Sequence, residues 1–250
     1  MPVESEAGLQ PLETARWPQV AESARTLLIW PIGSTEQHGP HLPLGTDTII
    51  ASALAAEAHR HAPHAALAPA QAIGASGEHA HFPGTLSIGT EALTSVVVEF
   101  VRHACRTFDH VLVVNGHGGN VSALQRASEL MRYEGRSLTV WHAAGSGPRS
   151  DAHAGFQETS LMLYLSPETV RADLAAAGAT QPLAQLLEPM RAGGVIAVSP
   201  NGVLGDPTGA TALRGQALFE EMFGRLLAVV DSLTAHRSDC VQGADKEPPV

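Results

Sequence analysis

The feature that most restricts the fold of this chain is a repeated succession of a short apolar run, a polar loop and a helical segment. Residues 26–31 (TLLIWP) and 110–114 (HVLVV) are apolar runs of strand length, and each leads into a glycine-rich polar loop. A helical segment follows each loop, at residues 47–61 and 121–134. Strands that alternate with helices in this way predict an α/β fold, a three-layer α/β/α sandwich with a mostly parallel central sheet.

The same patterns place further elements along the chain. They predict short strands at residues 67–70, 137–141 and 195–198, and helices at 90–108, 156–165 and 211–234. Thr90 and Asp47 stand where N-caps of helices would stand. We expect residues 1–20 to form an N-terminal arm, 21–235 a single domain, and the polar residues 236–250 a disordered tail.

Composition limits the classes of function. The formal net charge is −10 and no Lys/Arg cluster appears, which argues against a nucleic-acid partner. No apolar run approaches the ~18–20 residues of a membrane span, and the N-terminus lacks the pattern of a secretory signal. We therefore expect a cytoplasmic protein with no membrane partner, in which Cys105 and Cys240 are free thiols. The 13 histidines, against 15 Lys plus Arg, favour metal chemistry.

The loop at residues 33–47 (GSTEQHGPHLPLGTD) concentrates potential metal ligands, namely Glu36, His38, His41 and Asp47. Turns can aim several side chains at one point, and Glu, His and Asp form the mixed oxygen and nitrogen donor set of Zn²⁺, Mn²⁺ or Fe²⁺ sites. An aspartate can also bridge two ions through its two oxygens. The alternative is a polar surface loop with incidental histidines. His41 could be a ligand or the partner of one.

The second motif is NGHGGN, residues 115–120, directly after a predicted strand. Glycines on both sides of His117 allow close approach of the backbone, which favours a metal ligand. A phosphate-binding loop before a helix is the alternative, but the spacing of known phosphate motifs is missing.

The third motif is DAHAGFQETS, residues 151–160. His153 could transfer protons near neutral pH, and Glu158 could be a ligand or a carboxylate that stabilises the first turn of a helix. Weaker candidates are Glu78, His79 and His81, which suit either a substrate rim or a surface loop. We expect Asp206 to form a turn, and His59, His61 and His64 to be solvated.

The three motifs, in this order, resemble the creatininase family of metal-dependent amidohydrolases, and the resemblance covers about residues 26–232. It implies a creatininase-like fold. It also implies that Glu36 and His117 hold one divalent ion and His38 the other, with Asp47 bridging the two. By the same resemblance, His153 would take part in proton transfer.

The chain departs from creatininase itself near His117. Creatininase has an aromatic residue and a glutamate one and two positions after this histidine, whereas this chain has Gly118 and Gly119. The second ion then needs another carboxylate, and Glu158 is the nearest candidate by motif. The segment between residues 141 and 153 is short, so we expect the Trp-bearing flap that closes over creatinine to be missing. These differences imply a more open, peptide-sized site.

Within the family, the segments GASGEH, TLSIGTEALT, NGHGGNV and GVLGDPT are similar to a peptidase subgroup. We therefore predict a metal-dependent hydrolase of amide or peptide bonds with two divalent ions per chain, either Zn²⁺, Fe²⁺ or Mn²⁺. The expected substrate is a modified precursor peptide, from which hydrolysis releases a C-terminal product derived from Val and Tyr. His153 or Glu158 would pass a proton to the leaving nitrogen.

The sequence leaves other functions open. The same scaffold could hydrolyse creatinine or a formylated amine, and a non-catalytic module that binds a metal or a nucleotide is the alternative from another class. The family resemblance also implies a homo-oligomer, with a hexamer as one form.

Overall fold

A computed structural model describes residues 10–23, 26–62, 64–145 and 151–243, with side chains described as far as residue 235. Its strands are β1 (Leu27–Ile32), β2 (Ala65–Leu67), β3 (His110–Asn115) and β4 (Leu138–His142). Its helices are α1 (Trp17–Glu22), α2 (Thr46–His61), α3 (Gly89–Ala104), α4 (Val121–Tyr133), α5 (Phe156–Leu165), α6 (Leu183–Gly193) and α7 (Ala212–Gly243).

In the described part of the chain, the four strands form one parallel sheet in the order β2-β1-β3-β4. The register pairs Leu27 of β1 with His110 of β3, and Ile32 with Asn115. The carboxyl ends of β1 and β3 therefore lie side by side, and the first two motifs leave the sheet at neighbouring points of one edge. This is the edge at which parallel sheets bind ligands.

Helices cover both faces of the sheet. Side chains of Leu27, Ile29, Leu112 and Val114 pack with α2, α5 and α7 in one core. The alternate side chains of the same strands pack with α3 and α4 in a second core: Leu28, Trp30, Ile32, Val111 and Val113. Burial on both faces explains why the strands read as continuous apolar runs. The predicted three-layer α/β/α sandwich is confirmed.

Several element boundaries differ from the sequence prediction. Strand β2 occupies Ala65–Leu67 rather than residues 67–70, and Val195–Ala197 forms a 3-10 turn instead of a strand. Helix α3 has Ile88 at its N-cap, so Thr90 lies inside the helix and does not cap it. Helix α2 has Gly45 at its N-cap, so Asp47 lies in the first turn. The Asp47 side chain is thereby available for contacts beyond its own helix.

The structure describes parts of the two terminal segments. Within the predicted arm, Leu12 donates its backbone N–H to the Leu67 oxygen at 2.9 Å and packs against the second core, and α1 follows. Helix α7 continues to Gly243, into the predicted tail, while residues 1–9 and 244–250 lie outside the described residues. Residues 146–150, part of the segment where the flap is expected to be missing, lie outside them too. Helix α6 was not predicted.

None of the helices in the described ranges combines the length and apolar character that crossing a membrane requires.

Candidate metal centre

Asp47 lies at the centre of a buried group of acidic and imidazole side chains. Its Oδ1 is 3.0 Å from Nε2 of His38, and its Oδ2 is 3.0 Å from Nδ1 of His117. The hydroxyl of Ser34 donates to Oδ2 at 2.8 Å. One carboxylate thus contacts two imidazoles through different oxygens, as a carboxylate shared by two cations would.

The backbone brings these groups together through a close contact between β3 and α2. His117 follows β3 after Gly116, and Asp47 lies in the first turn of α2. A Cβ atom at Gly116 would lie 2.4 Å from the backbone oxygen of Asp47, nearer than real Cβ contacts come. Only glycine therefore allows the strand end to reach the helix start at this position.

Glu36 is a fully buried acid, and in the described part of the chain neither carboxylate oxygen has a hydrogen-bond donor in suitable geometry. Its Oε2 is 3.1 Å from Nε2 of His117. Burial raises the pKa of Glu36 to about 8, against the opposing charge of His117. Since a buried polar atom without a partner is unfavourable, these two oxygens fit the role of cation ligands.

The hydrogen-bond partners of His38 and His117 assign tautomers that suit metal binding. Nδ1 of His38 donates to the backbone oxygen of Glu36 at 3.1 Å, which leaves the lone pair of Nε2 facing Asp47. Nε2 of His117 is 3.1 Å from the backbone oxygen of Ala75, which leaves Nδ1 facing Asp47. Metal-binding histidines usually have a backbone carbonyl or carboxylate partner of this kind.

The electrostatics of the group indicate that it needs positive charge. Burial lowers the pKa of both imidazoles, but the neighbouring acids outweigh it. Asp47 and Glu158 raise the pKa of His38 to about 10, and Asp47 and Glu36 raise that of His117 to about 9. The pKa of Asp47 is held well below its usual value by these imidazoles, although burial alone would raise it. Divalent ions would take the place of the imidazole protons.

Glu158 and His153 form a second group around His38. Oε2 of Glu158 is 3.8 Å from Nε2 of His38 and accepts the backbone N–H of Ala154 at 2.6 Å. Burial raises the pKa of Glu158 to about 7, against the charge of His38. His38, His153 and Glu158 each offer a ligand atom within 4.8 Å of the others, and so do Glu36, Asp47 and His117. The structure thus brings all five predicted metal residues together in two adjoining groups.

His153 lies where a proton-transfer residue would be useful. Its Nε2 donates to the backbone oxygen of Gln37 at 2.8 Å, so its Nδ1, which is 3.7 Å from Oε1 of Glu36, faces the centre. Burial, followed by the positive charge of His38, lowers the pKa of His153 well below its usual value. The lowered pKa favours the uncharged imidazole, in which the lone pair of Nδ1 faces the centre.

Sequence reasoning undervalued His79 and missed Gln37. His79 is buried, with Nε2 3.4 Å from Oε1 of Glu36. The Gln37 amide donates to Nδ1 of His79 at 2.8 Å and to the Gly202 oxygen at 3.0 Å. This partner places the remaining proton of a neutral His79 on Nε2, towards Glu36. Although Glu36, His79 and His153 also satisfy the geometry of a metal group, His79 is better suited to orient Glu36. In the sequence, Gln37 lies between the candidate ligands Glu36 and His38, and this position was the signal that could have identified it.

The other candidates take simpler roles. His41 is buried, with Nε2 2.9 Å from Oγ1 of Thr159 in α5, and belongs to none of the possible metal groups in the described ranges. Asp206 accepts the backbone N–H of Thr208 at 3.0 Å, as expected of a turn residue. His61, His64 and His81 are exposed, and Glu78 is half-buried. The prediction of a solvated His59 was wrong, since it is half-buried and bonded to the Ala65 oxygen. Cys105 is a free thiol, and Cys240 lies beyond the described side chains.

A cavity of about 280 Å³ adjoins the two groups. Besides Glu36, Asp47, His117 and Glu158, its lining includes Glu78 and an apolar wall made of Leu183, Leu187, Met190 and Leu204. A neighbouring cavity of about 600 Å³ shares Ala152, Leu183 and Leu204 with the first. The centre therefore opens towards a larger space that a substrate longer than a single small ring could enter.

Comparisons of the sequence with known proteins agree on one family. Residues 13–230 match the family model described as "Creatininase: Creatinine amidohydrolase". The chain is 53% identical over 204 residues to a mycofactocin precursor peptide peptidase of Mycolicibacterium smegmatis, covering 78% of this chain and 81% of the relative. It is 50% identical over 220 residues to the peptidase of the same name from Mycobacterium tuberculosis, covering 84% and 86%.

The fold has solved counterparts. A structure described as "Creatininase Mn" superposes with a TM-score of 0.72 at 23% identity, covering 88% of this chain and 97% of that one.

Proposed function

This chain belongs to the creatininase family of amidohydrolases, and from that premise we propose that it is a metal-dependent peptidase that cleaves a modified mycofactocin precursor peptide. As a family member it is a hydrolase of C–N bonds. The proposed substrate rests on the two mycobacterial relatives, which are 50% and 53% identical and carry this activity in their names. The product would be a small compound derived from the C-terminal Val and Tyr of the peptide.

The main support for metal dependence is the position of Asp47, whose two carboxylate oxygens each lie 3.0 Å from a different imidazole. We assign Glu36 and His117 to one cation and His38 and Glu158 to the other, with Asp47 shared. This donor set of carboxylates and imidazoles suits Zn²⁺, Fe²⁺ or Mn²⁺, and a structural neighbour is described as a manganese form. The unpartnered oxygens of Glu36 support the same assignment.

The chain's own residues account for the proton transfers of amide hydrolysis. Divalent ions held by these residues would act as Lewis acids, which polarise an amide carbonyl and increase the acidity of water. His153, neutral and with Nδ1 facing the centre, takes up a proton and delivers it to the leaving nitrogen. Its Nε2 contact with the Gln37 backbone fixes the ring so that Nδ1 stays directed at the reaction. Leu183 and Leu187 line the cavity and offer an apolar surface to the substrate.

A peptide substrate fits the shape of the site better than creatinine does. The cavity at the centre continues into a second space of about 600 Å³, along Ala152, Leu183 and Leu204. A small ring would leave that space unused, whereas the peptide on the other side of the scissile bond could occupy it. A large side chain at Thr180, which lines only the larger cavity, should therefore impair cleavage of long peptides more than of short ones.

The direct test is to incubate the protein, loaded with Fe²⁺, Zn²⁺ or Mn²⁺, with modified precursor peptide and to follow products by mass spectrometry. Creatinine and an N-formylated amine form the comparison panel. We expect cleavage near the C-terminal end of the peptide and no turnover of the two small compounds. An intact peptide in the presence of fully metal-loaded protein would refute the proposal.

Variants separate chemistry from metal binding in the same assay. His153→Gln should abolish cleavage and keep the metal content, because the histidine transfers protons in this scheme and is not assigned as a ligand. His64→Gln is the matched control, since His64 is exposed and does not line the cavity. Loss of metal from His153→Gln would instead make His153 a ligand.

We also propose that the protein assembles as a homo-oligomer, on the basis of the family resemblance, with a hexamer as the form to look for. Light scattering coupled to size-exclusion chromatography measures the mass directly. A monomer of 26.1 kDa would contradict this part of the proposal.

A further inference from the structure

Glu78 is the acid of the cavity that the metal centre does not use. It lies in the 3-10 turn Gly77–His79, and its side chain is 33% exposed. Its Oε1 is 4.0 Å from Nε2 of His117, too far for a hydrogen bond. Among the described side chains, none donates a hydrogen bond to this carboxylate, and it is absent from the groups that could hold a metal. Its one electrostatic contact among the described side chains is thus the long one to His117, and no described group donates a hydrogen bond to it.

The backbone makes room for this carboxylate. A Cβ atom at Gly119 would lie 2.6 Å from Oε1 of Glu78 and 2.4 Å from Nε2 of His117. The backbone oxygen of Ala75 would be nearer still, at 2.3 Å, so any other residue at position 119 would displace that backbone, the imidazole or the Glu78 carboxylate. Gly119, two residues after His117, thus leaves room for the Glu78 carboxylate beside the metal centre.

The rest of the cavity lining is apolar or already engaged. Glu36, Asp47 and Glu158 contact the imidazoles of the centre, and no Lys or Arg is present among the described residues of the lining. Helix α6 packs beside the Glu78 turn. It contributes Leu183 and Leu187, which are 45% and 40% exposed. One cavity therefore combines an acid that accepts no hydrogen bond from a described group with an exposed apolar wall.

Hydrolysis of an N-substituted amide, such as a peptide bond, releases an amine, and an alkyl amine takes up a proton at neutral pH to become an ammonium ion. We propose that Glu78 binds the leaving amine of the substrate, and that the α6 wall binds a large apolar substituent on that amine. The substrate class is then an amide whose amine side carries an aromatic or branched apolar group. This inference rests on the proposed amide hydrolysis and adds which half of the substrate is recognised.

The arrangement gives Glu78 two tasks on the same ligand. Before bond cleavage, its carboxylate accepts the N–H of the scissile amide or of a neighbouring amino group. After cleavage, the attraction becomes a charge-assisted hydrogen bond to the ammonium ion, which is roughly twice as strong as a neutral one. Glu78 is therefore a specificity residue that touches the product amine, and its loss should weaken product binding more than metal binding.

The test uses binding rather than turnover, with tyramine as a probe that carries an ammonium ion and an aromatic ring. Its uncharged counterpart is 2-(4-hydroxyphenyl)ethanol, in which a hydroxyl replaces the ammonium group. Both are titrated by calorimetry into metal-loaded protein. Glu78→Gln should weaken tyramine binding about 10-fold or more, as expected for loss of a hydrogen bond to a charged group, and leave binding of the alcohol within about 2-fold.

Glu168→Gln is the matched control, because Glu168 is an exposed acid in another 3-10 turn, Pro167–Thr169, and does not line the cavity. It should bind both probes as the unaltered protein does. Metal content is measured on the same samples and should not change in either variant.

Two results would overturn the inference. Equal affinity of tyramine for the unaltered protein and Glu78→Gln would remove the amine contact, and loss of metal from Glu78→Gln would make Glu78 a ligand instead. A different result would refute the proposed function alone. Metal-loaded protein would then leave the precursor peptide intact, while Glu78→Gln would still weaken binding of tyramine and not of the alcohol.

Discussion

Replacement of Gly116 by alanine tests whether the close contact between β3 and α2 determines the geometry of the metal centre. The added Cβ would lie 2.4 Å from the backbone oxygen of Asp47, 3.1 Å from its carbonyl carbon and 3.2 Å from Cβ of Ala51. Real Cβ contacts are not shorter than 3.0 Å, so the strand end and the helix start must separate by at least 3.0 − 2.4 = 0.6 Å. His117 follows Gly116 directly, and Asp47 is the residue it contacts at 3.0 Å.

This displacement affects both stability and metal binding. Overpacking of this kind typically costs about 1–3 kcal/mol, and each kcal/mol lowers the Tm of a chain of this size by roughly 2–4 °C. Metal–ligand distances tolerate only about 0.2 Å, so a shift of 0.6 Å also disturbs coordination. We expect a loss of metal affinity of at least the 10–100-fold that follows when the supporting partners of ligands are removed.

Gly118→Ala supplies a control two residues away in the same loop. A Cβ there would meet nothing within 4 Å, and Gly→Ala at an unstrained position is neutral or stabilises by up to about 1 kcal/mol. Both variants are assayed for Tm by calorimetry and for metal affinity by competition with a chromophoric chelator. If Gly116→Ala and Gly118→Ala had the same Tm and metal affinity, the argument from the close contact would be refuted.

Two further predictions concern the protonation of the centre and the core. Metal affinity should increase as the pH rises from 6 to 9, because cations must displace protons from His38 and His117, whose pKa values are raised to about 10 and about 9. Calorimetry in buffers of different ionisation enthalpy should detect the release of these protons. Metal binding without proton release would contradict the assigned charges. Leu54→Ala, at a side chain with 0% exposure between α2 and the sheet, should lower the free energy of unfolding by about 2–5 kcal/mol in chemical denaturation. Leu213→Ala, at a side chain that is 77% exposed, should change it by less than about 0.5 kcal/mol, and equal effects would contradict the assigned core.

The layers of the fold could be predicted because the strand and helix signals are local. Strands β1 and β3 are apolar on both faces, and Gly135, with φ of +67°, ends α4 where the sequence indicated. Residues 195–198 were predicted as a strand from their β-branched composition. They turn instead because Gly194, with φ of +71°, directs the chain out of α6 into a 3-10 turn. Helix α6 escaped prediction because it contains Pro189, which disrupts a helical pattern.

The grouping of the candidate metal residues could be predicted from motif content, but their hydrogen-bond partners could not. Glu36, His38 and Asp47 lie in one loop, and the parallel arrangement of β1 and β3 brings His117 to the same edge. The inward position of His79 depends on a contact with Gln37, 42 residues away in sequence, which no local pattern encodes. Asp47 was also predicted to be an N-cap, because an acid directly before a helical segment is typical of that position. Only the start of α2 at Thr46 frees its side chain.

The measurement that tests the central claim most directly is the number of metal ions per chain in the unaltered protein and in Asp47→Ala, by elemental analysis after dialysis against a defined concentration of Mn²⁺ or Zn²⁺. Asp173→Ala is the control, because Asp173 pairs with Arg171 at the surface. We predict two ions in the unaltered protein and in Asp173→Ala, and loss of both from Asp47→Ala. Two ions retained by Asp47→Ala would show that no carboxylate at this position joins the two halves of the centre.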